Sequence, residues 1–364
     1  MKISIGIDIS KKKCDYCVVN SRGRVLDRGQ HLNTQDDARQ CARAILDKYG
    51  KMGKCTAACE TTANLWITTI DAFGHVGIPI KLANSYKMAL INKTGKKTDK
   101  IDAEKIAQIL RMNSIPECYI PSKHIRAVRN MVRQHVRLVQ ARTRVINRVH
   151  NLLDAHGKAA HAANMYSHKA LLCLETISLG DAQDNFVLKQ CVRQIRHYTS
   201  ELVETDKQLD AEAAQNEYAK LLSSMTGIGT YAAILLAVEI SDTSRFETPK
   251  QLISWAGLCP TVRQSGNEMR LGKIKKAGTN RLVNWIMCEA ASVAARHDPR
   301  MKSAYKAARR RHADKHAPAI VVVAHKMTTI MWHMLQNNTA YESRNEDPYK
   351  RKLAKLERCR QNKA

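Results

Sequence analysis

Four carboxylates and one distant hydroxyl are the chemistry-bearing residues of this 364-residue chain. The carboxylates are Asp8, Glu60, Asp99 and Asp102; the hydroxyl is Ser265. Asp8 stands between Ile7 and Ile9, a poor place for a charge unless a cation or hydrogen bonds compensate it. Glu60 closes a short β-prone run. Asp99 and Asp102 are three apart at the start of a helical pattern, so they share a face, and the helix dipole favours their ionised forms. Taken singly, the last two are ordinary first-turn helix acids and Asp8 is a strand-end residue. Together the four are hard oxygen donors suited to Mg²⁺. Two such ions about 3.5–4 Å apart can activate a nucleophile and stabilise the leaving oxygen of a phosphodiester. Lys93, Lys96, Lys97 and Lys100 crowd the same segment and could hold substrate phosphates.

Ser265 belongs to Gly257-Leu-Cys-Pro-Thr-Val-Arg-Gln-Ser-Gly266, a basic, glycine-rich segment. Its glycines allow close backbone approach, and Arg263, Arg270, Lys273 and Lys276 are candidate phosphate clamps. From spacing alone Ser265 is a turn residue beside a glycine, with no His/Asp pair near it to suggest a hydrolase triad. Upstream, Thr226-Gly-Ile-Gly229 precedes an apolar run. Gly227 and Gly229 could form the turn of a helix-hairpin-helix motif that offers backbone N–H groups to phosphate, or a tight inter-helix turn with no ligand.

The elements that must position these groups are legible in outline. Ile3–Ile9 reads as a strand, and Tyr16–Asn20 and Val25–His31 form a hairpin around Ser21-Arg22-Gly23-Arg24. Thr34–Tyr49 predicts a helix, Lys54–Cys59 a strand, Ala63–Phe73 a helix, Pro79–Ala83 a strand, and Thr98–Met112 a helix capped by Thr98. This order describes a mixed α/β sheet of ribonuclease-H/RuvC-like type over residues 1–115. Residues 116–217 read as a helical coiled-coil arm with a hinge, 218–336 as a mostly helical domain, and 337–364 as a charged tail, partly disordered.

From Cys118 to Leu153 there is no acidic residue, while Lys123 and seven arginines occur. On a helical wheel Arg126, Arg129, Arg133, Arg137, Arg144 and Arg148 fall in one stripe. A merely solvated helix normally interleaves acids for i,i+4 pairs, so the stripe is expected to track a phosphate backbone. Ile125, Val132, Val139, Ile146 and Leu153 repeat every seven residues, with Val128 beside them, and Leu188, Ile195, Leu202 and Leu209 do the same on a second helix. His135 and Arg142 make poor core residues between them.

The chain carries 60 Lys+Arg against 33 Asp+Glu, a formal charge of +27, which calls for a polyanionic partner such as nucleic acid. Aromatics are 5%, too few for recognition built on base stacking. No apolar run approaches the roughly 18 residues of a membrane span, and a strand-like N-terminus replaces a signal peptide. The 11 scattered cysteines suit a reducing cytoplasm. Cys14, Cys17, Cys55 and Cys59 read as buried small hydrophobes rather than zinc ligands.

The motifs Gly6-Ile-Asp8-Ile-Ser10, Glu60-Thr-Thr, Lys97-Thr-Asp99-Lys-Ile-Asp102-Ala-Glu-Lys-Ile-Ala, Thr226-Gly-Ile-Gly229 and Gly257-Leu-x-Pro260 with Gln264-Ser265-Gly266 occur in one order. Through them the chain resembles the DEDD-type insertion-sequence transposases, also described as bridge-RNA-guided recombinases. The resemblance covers about Ile3–Leu335. It implies an N-terminal RuvC-like domain joined by a coiled-coil arm to a C-terminal transposase domain. It further implies that Asp8, Glu60, Asp99 and Asp102 are Mg²⁺ ligands and that Ser265 is the nucleophile of a covalent phosphoserine link to DNA. A structured guide RNA pairing with donor and target DNA would follow, as would homodimers assembling into a tetramer whose active site is completed between subunits. The setting would be the bacterial cytoplasm, at the nucleoid during transposition. Ala63 stands where the resemblance leads one to expect glycine. Two other functions fit the residues: a junction-resolving nuclease that uses only the carboxylates, and a non-enzymatic basic scaffold for nucleic acid.

Overall fold

A computed structural model of the chain describes residues 2–91, 99–158, 164–265, 268–274, 278–342 and 347–361, with backbone only at 99, 100, 262, 263, 265, 268–271, 273, 347–350 and 360. It divides into two compact units, Met1–Ile120 and Pro121–Ala364.

The first unit is built on a six-stranded sheet in the order β3-β2-β1-β4-β5-β6. The strands are β1 (Lys2–Ile9), β2 (Lys13–Val19), β3 (Val25–Leu32), β4 (Lys54–Glu60), β5 (Ile80–Ala83) and β6 (Glu117–Cys118). β1–β2, β2–β3 and β5–β6 are antiparallel, and β1–β4 and β4–β5 are parallel. Its helices are α1 (Gln35–Tyr49), α2 (Trp66–Val76), α3 (Ser85–Ile91) and α4 (Asp99–Arg111). The mixed α/β expectation is met and is consistent with a ribonuclease-H-like domain. β6 and α3 were not anticipated; both are too short to show a period. Thr34 caps α1 by accepting the Asp37 N–H. Thr98, expected to cap α4, lies outside the described residues, as do Lys93, Lys96 and Lys97.

Strand periodicity sorts the two faces of the sheet. Ile3, Ile5, Ile7 and Ile9 pack with Ala42, Ile45 and Phe73 on one side. Ser4, Gly6 and Asp8 alternate to the other, where Ala103 and Ala107 of α4 meet Cys17 and Val19. A Cβ at Gly6 would lie 2.1 Å from the Ala103 carbonyl oxygen and 2.3 Å from the Ala107 nitrogen. Only glycine lets the helix cross the strand so closely. Cys14 and Cys17 belong to opposite faces, and burial pushes the Cys14 thiol up to about 11, as suits core residues.

The second unit is mainly helical. It contains α5 (Lys123–Ala155), α6 (His168–Thr176), α7 (Ala182–Gln215), α8 (Glu217–Leu222), α9 (Thr230–Ile240), α10 (Pro249–Trp255), α11 (Arg281–His297), α12 (Pro299–Arg311), α13 (His316–Asn337) and α14 (Asp347–Gln361). Between α10 and α11 stand two antiparallel strands, β7 (Pro260–Ser265) and β8 (Glu268–Ile274). The serine-bearing segment is therefore a β-ribbon within an otherwise helical unit.

α5 and α7 run antiparallel, since the cross-pairs His124–Glu212, His135–Asp206, Arg142–Thr199 and His156–Asp184 move in opposite directions along the two helices. Leu188, Ile195, Leu202 and Leu209 are all buried, as their spacing predicts. On α5 the buried seam is Val128, Val132, Leu138, Val145, Val149 and Leu153, not a strict seven-residue series; Ile125, Val139 and Ile146 are only half-buried. A straight helix drifts about 20° per seven residues, so the seam leaves the strict seven-residue series and advances by steps of 4, 6, 7, 4 and 4.

The two poor core residues are accommodated by polar and ring contacts. His135 stacks on Tyr231 at 4.0 Å and meets Asp206 at 3.1 Å. The Arg142 guanidinium lies 3.8 Å over the Tyr166 ring. Burial holds His135 below its ordinary value despite the pull of Asp206. The unfolded chain then binds a proton at this site more readily than the folded one. The resulting stability is complete above about pH 6.5 and is lost as pH falls through the depressed folded value. The melting temperature should decline from pH 7 to pH 5, and His135→Gln should flatten that slope. An identical slope in the variant would remove His135 from the account.

The tail is more ordered than expected. Leu356 of α14 is buried in the core of this unit, and the Lys352 ammonium donates to the carbonyls of Ser223 and Ile228 at 3.0 and 2.7 Å. Its apolar contacts fall on either side of the charged stretch that made the tail look unstructured, at Tyr341 and at Leu356.

Candidate nuclease and strand-transfer site

Asp8 and Glu60 come together through the parallel pairing of β1 and β4. The register runs to Ile7 opposite Cys59, so the next residues, Asp8 and Glu60, are neighbours at the C-terminal ends of two adjacent strands. Both project from the face that carries Gly6 and Ala58, the face covered by α4. Asp102 sits one residue before Ala103, the point where α4 comes closest to β1. Asp99 lies in the first turn of α4; its side chain is outside the described residues.

The sequence reading missed a fifth acid. Asp15 of β2 is paired directly opposite Asp8 in the antiparallel register and is 4% exposed. Gln30 donates to it at 2.6 Å, and Lys13 lies 3.5 Å away. Two carboxylates across one strand pair repel each other unless positive charge or donors intervene, and here both are supplied to Asp15. Its signal was available, since a tight β1–β2 turn at Ser10–Lys12 places the two opposite each other.

After Glu60 the chain turns through Ala63, whose φ of 46° lies in the left-handed region. Glycine enters that region freely, whereas alanine pays about 1–2 kcal/mol. Ala63 thus holds this turn in a strained conformation.

Ser265 lies at the turn end of β7, paired with Glu268 across the ribbon. Its side chain and those of Arg263, Arg270 and Lys273 are outside the described residues, as is the whole of Lys276. The feet of the ribbon are well defined. The Asn280 N–H donates to the Trp255 carbonyl at 2.8 Å, and Asn284 donates to the Gly257 carbonyl at 2.8 Å. Asn280 also caps α11 and donates to Glu239 Oε2 at 2.9 Å.

Glu239 organises much of this region. It is 2% exposed, at the end of the all-apolar α9. Arg133 donates to its Oε1 at 3.2 and 2.9 Å, and Arg129 donates to the Val238 and Glu239 carbonyls at 2.8 and 2.9 Å. Two members of the arginine stripe are therefore engaged by protein, one closing the C-terminal carbonyls of α9 and one neutralising a buried acid. A third member, Arg126, donates to the Pro121 carbonyl at 3.2 Å, while Arg137, Arg144 and Arg148 are exposed. A lone glutamate in the run Tyr231–Ile240 was the signal that could have revealed Glu239.

The glycine turn shows the same division. Gly227 has φ +91°, and a Cβ there would lie 2.3 Å from the Ala290 carbonyl oxygen, so this glycine serves packing against α11. Gly229 is exposed, faces open space and forms the N-cap of α9.

Two family profiles match the chain: a DEDD transposase profile of IS110 type over residues 5–157 and the transposase IS116/IS110/IS902 profile over residues 219–306. Together they cover more than half of it. The chain belongs to the IS110/IS116 family of DEDD transposases. This transposase is 28% identical to a probable family 20 transposase of Pseudomonas aeruginosa, over 93% of this chain and 98% of the relative. It is 25% identical to the transposase for insertion sequence element IS1111A of Coxiella burnetii, over 93% and 90% of the two chains. The pilin gene-inverting protein of Moraxella bovis is 27% identical over 41% of this chain and 48% of its own length. Membership of the family makes the transposase an enzyme of DNA cleavage and rejoining. No helix of the described residues is long and apolar enough to cross a membrane.

A DEDD domain implies a divalent metal ion, and the donor chemistry fits one. Asp8, Glu60 and Asp102 offer only carboxylate oxygens, the ligands that hard cations take. Among the described residues no three acid, histidine or thiol side chains are grouped closely enough to hold a metal ion between them. Asp102 is held by Lys105 at 3.0 Å, so the ammonium supplies its counter-charge here. Asp102 would exchange that partner for the ion.

Proposed function

We propose that this transposase excises and integrates an insertion sequence by serine attack on a DNA phosphodiester, with Asp8, Glu60, Asp99 and Asp102 as the Mg²⁺ ligands. The observation that supports the reading best is the parallel pairing of β1 and β4, which makes Asp8 and Glu60 neighbours at adjacent strand ends on the face that α4 covers. A divalent ion bound there would polarise the scissile phosphate. The Ser265 oxygen forms the new bond to phosphorus while one P–O bond to deoxyribose breaks, and the released DNA hydroxyl carries away a proton. A hydroxyl from a second DNA end later displaces the serine, so the bond energy is conserved in the phosphoserine ester. Arg263, Arg270, Lys273 and Lys276 neutralise the pentacoordinate phosphate, with Gly229 and the exposed arginines of α5 holding flanking backbone. A guide RNA that selects donor and target by base pairing accounts for the charge of +27 with so few aromatics. Dimers joining into a tetramer bring the hydroxyl to the acids.

Ser265→Ala tests the chemistry. It should bind DNA and RNA as the parent does, yet form no covalent protein–DNA product and perform no strand exchange. Strand exchange by the variant would reject Ser265 as the nucleophile, and undiminished Mg²⁺-dependent cleavage with no covalent product would favour the nuclease reading, in which a water attacks. Sequencing RNA that copurifies with the protein tests the guide.

A further inference from the structure

The arginine stripe of α5 is partly spent inside the protein, but another helix presents cations that are not. α12 has the sequence Pro-Arg-Met-Lys-Ser-Ala-Tyr-Lys-Ala-Ala-Arg-Arg-Arg and contains no acid. Met301 and Ala308 are its buried residues, and they set the inward face. Lys302, Lys306 and Arg310 lie four residues apart on the opposite side, all exposed. The short side chains of Ser303 and Ala307, also exposed, lie alongside them, so nothing bulky stands between this face and a partner.

Local acids are otherwise occupied. Asp298, the N-cap, is buried; it accepts from the Arg300 and Met301 N–H groups and from the Tyr341 hydroxyl. Asp314 pairs with Arg309 at 3.4 Å. Among the described residues no carboxylate pairs with Lys302, Lys306 or Arg310. Exposed lysines and arginines on a soluble helix normally carry i,i+4 acids; three in a row without one leave a concentrated positive field.

We propose that the outer face of α12 is a docking surface for the phosphate backbone of duplex DNA, through Lys302, Lys306 and Arg310. At 1.5 Å per residue the three charges are spaced about 6 Å apart along the helix, and a DNA strand offers one phosphate per about 3.4 Å of axis. This smooth row, which winds by about 40° per four-residue step, can follow one strand over several phosphates without reading bases. The guanidinium of Arg310 can hold a phosphate through two parallel hydrogen bonds, and the ammonium groups act as point charges. The choice of DNA rests on the family's own substrate.

The test is the salt dependence of duplex binding by the full chain. Lys302→Gln/Lys306→Gln/Arg310→Gln should lower the slope of log affinity against log salt by about 2.7, from about 0.9 per lost phosphate contact. The loss should be equal for unrelated duplex sequences, with the melting temperature unchanged. A matched triple on α7, Lys189→Gln/Arg193→Gln/Lys207→Gln, removes the same net charge from other exposed positions and should change the slope much less. Equal effects of the two triples, an unchanged slope, or a loss confined to a structured RNA with DNA binding spared would each overturn the proposal. A parent protein that binds no duplex at all would sink the transposase reading with it, a distinct result.

Discussion

Asparagine at Asp8 is expected to lower DNA strand cleavage by about three orders of magnitude or more while leaving the fold and DNA affinity intact. The side chains are nearly isosteric, so the β1 packing against α4 is undisturbed. What changes is charge. Asp8 faces Asp15 across the strand pair, and removing one of two opposed carboxylates relieves repulsion. The variant should therefore melt at the same temperature as the parent or slightly above it. Activity should move the other way, because metal-assisted stabilisation of a phosphoryl transition state is worth several kcal/mol, and each 1.36 kcal/mol is about tenfold in rate. Cleavage rates on a labelled duplex across a Mg²⁺ titration, with melting curves beside them, separate the two effects. Full cleavage activity in Asp8→Asn would remove Asp8 from the metal-binding set.

Glu239→Ala is expected to produce the largest loss of stability. Removing one partner of a buried ion pair typically costs about 3–5 kcal/mol because the other charge is stranded. Here Arg133 is 45% exposed and can turn to water, and Arg129 keeps its two backbone carbonyls. The expected cost is therefore lower, about 2–4 kcal/mol. Glu239→Gln keeps the shape and an acceptor for Arg133 but sets two amide donors against each other at Asn280, so it should lie between parent and alanine. Chemical denaturation of the three proteins checks the order. Because Asn280 ties the foot of the β7–β8 ribbon to Trp255, strand exchange by the glutamine variant should fall more than its stability alone explains. A glutamine variant as active and as stable as the parent would reduce Glu239 to a bystander.

How far these features could be read beforehand follows from their physical range. Strands with a strict two-residue period, such as Ile3–Ile9, and helices with caps, such as Thr34 before α1, declare themselves through neighbouring residues. The proximity of Asp8 and Glu60 was inferable once the strand order was guessed, because the sheet brings strand ends together. What escaped depends on long-range pairing. The β7–β8 ribbon looked like loop because its glycines and cations mask a period that has only six and seven residues in which to show. Arg129 and Arg133 were read as solvent-facing because a helical wheel shows which residues share a side and not what occupies that side. Glu239 supplied the occupant. Lys352 looked like one more cation in a charged tail until the carbonyls it serves were known.

That last contact bears on how the protein can be handled. Fusion partners and cleavable handles are commonly hung on a charged terminal stretch in the belief that nothing depends on it. In this transposase, clipping off the final helix would strip the ammonium from two carbonyls flanking Gly227 and uncover the slot that Leu356 fills. The opposite terminus, where β1 begins at Lys2 in the middle of a sheet, offers no better anchorage without a spacer. Attachment points for probes are better sought in exposed turns such as Ser21–Gly23, where the backbone already reverses at the surface.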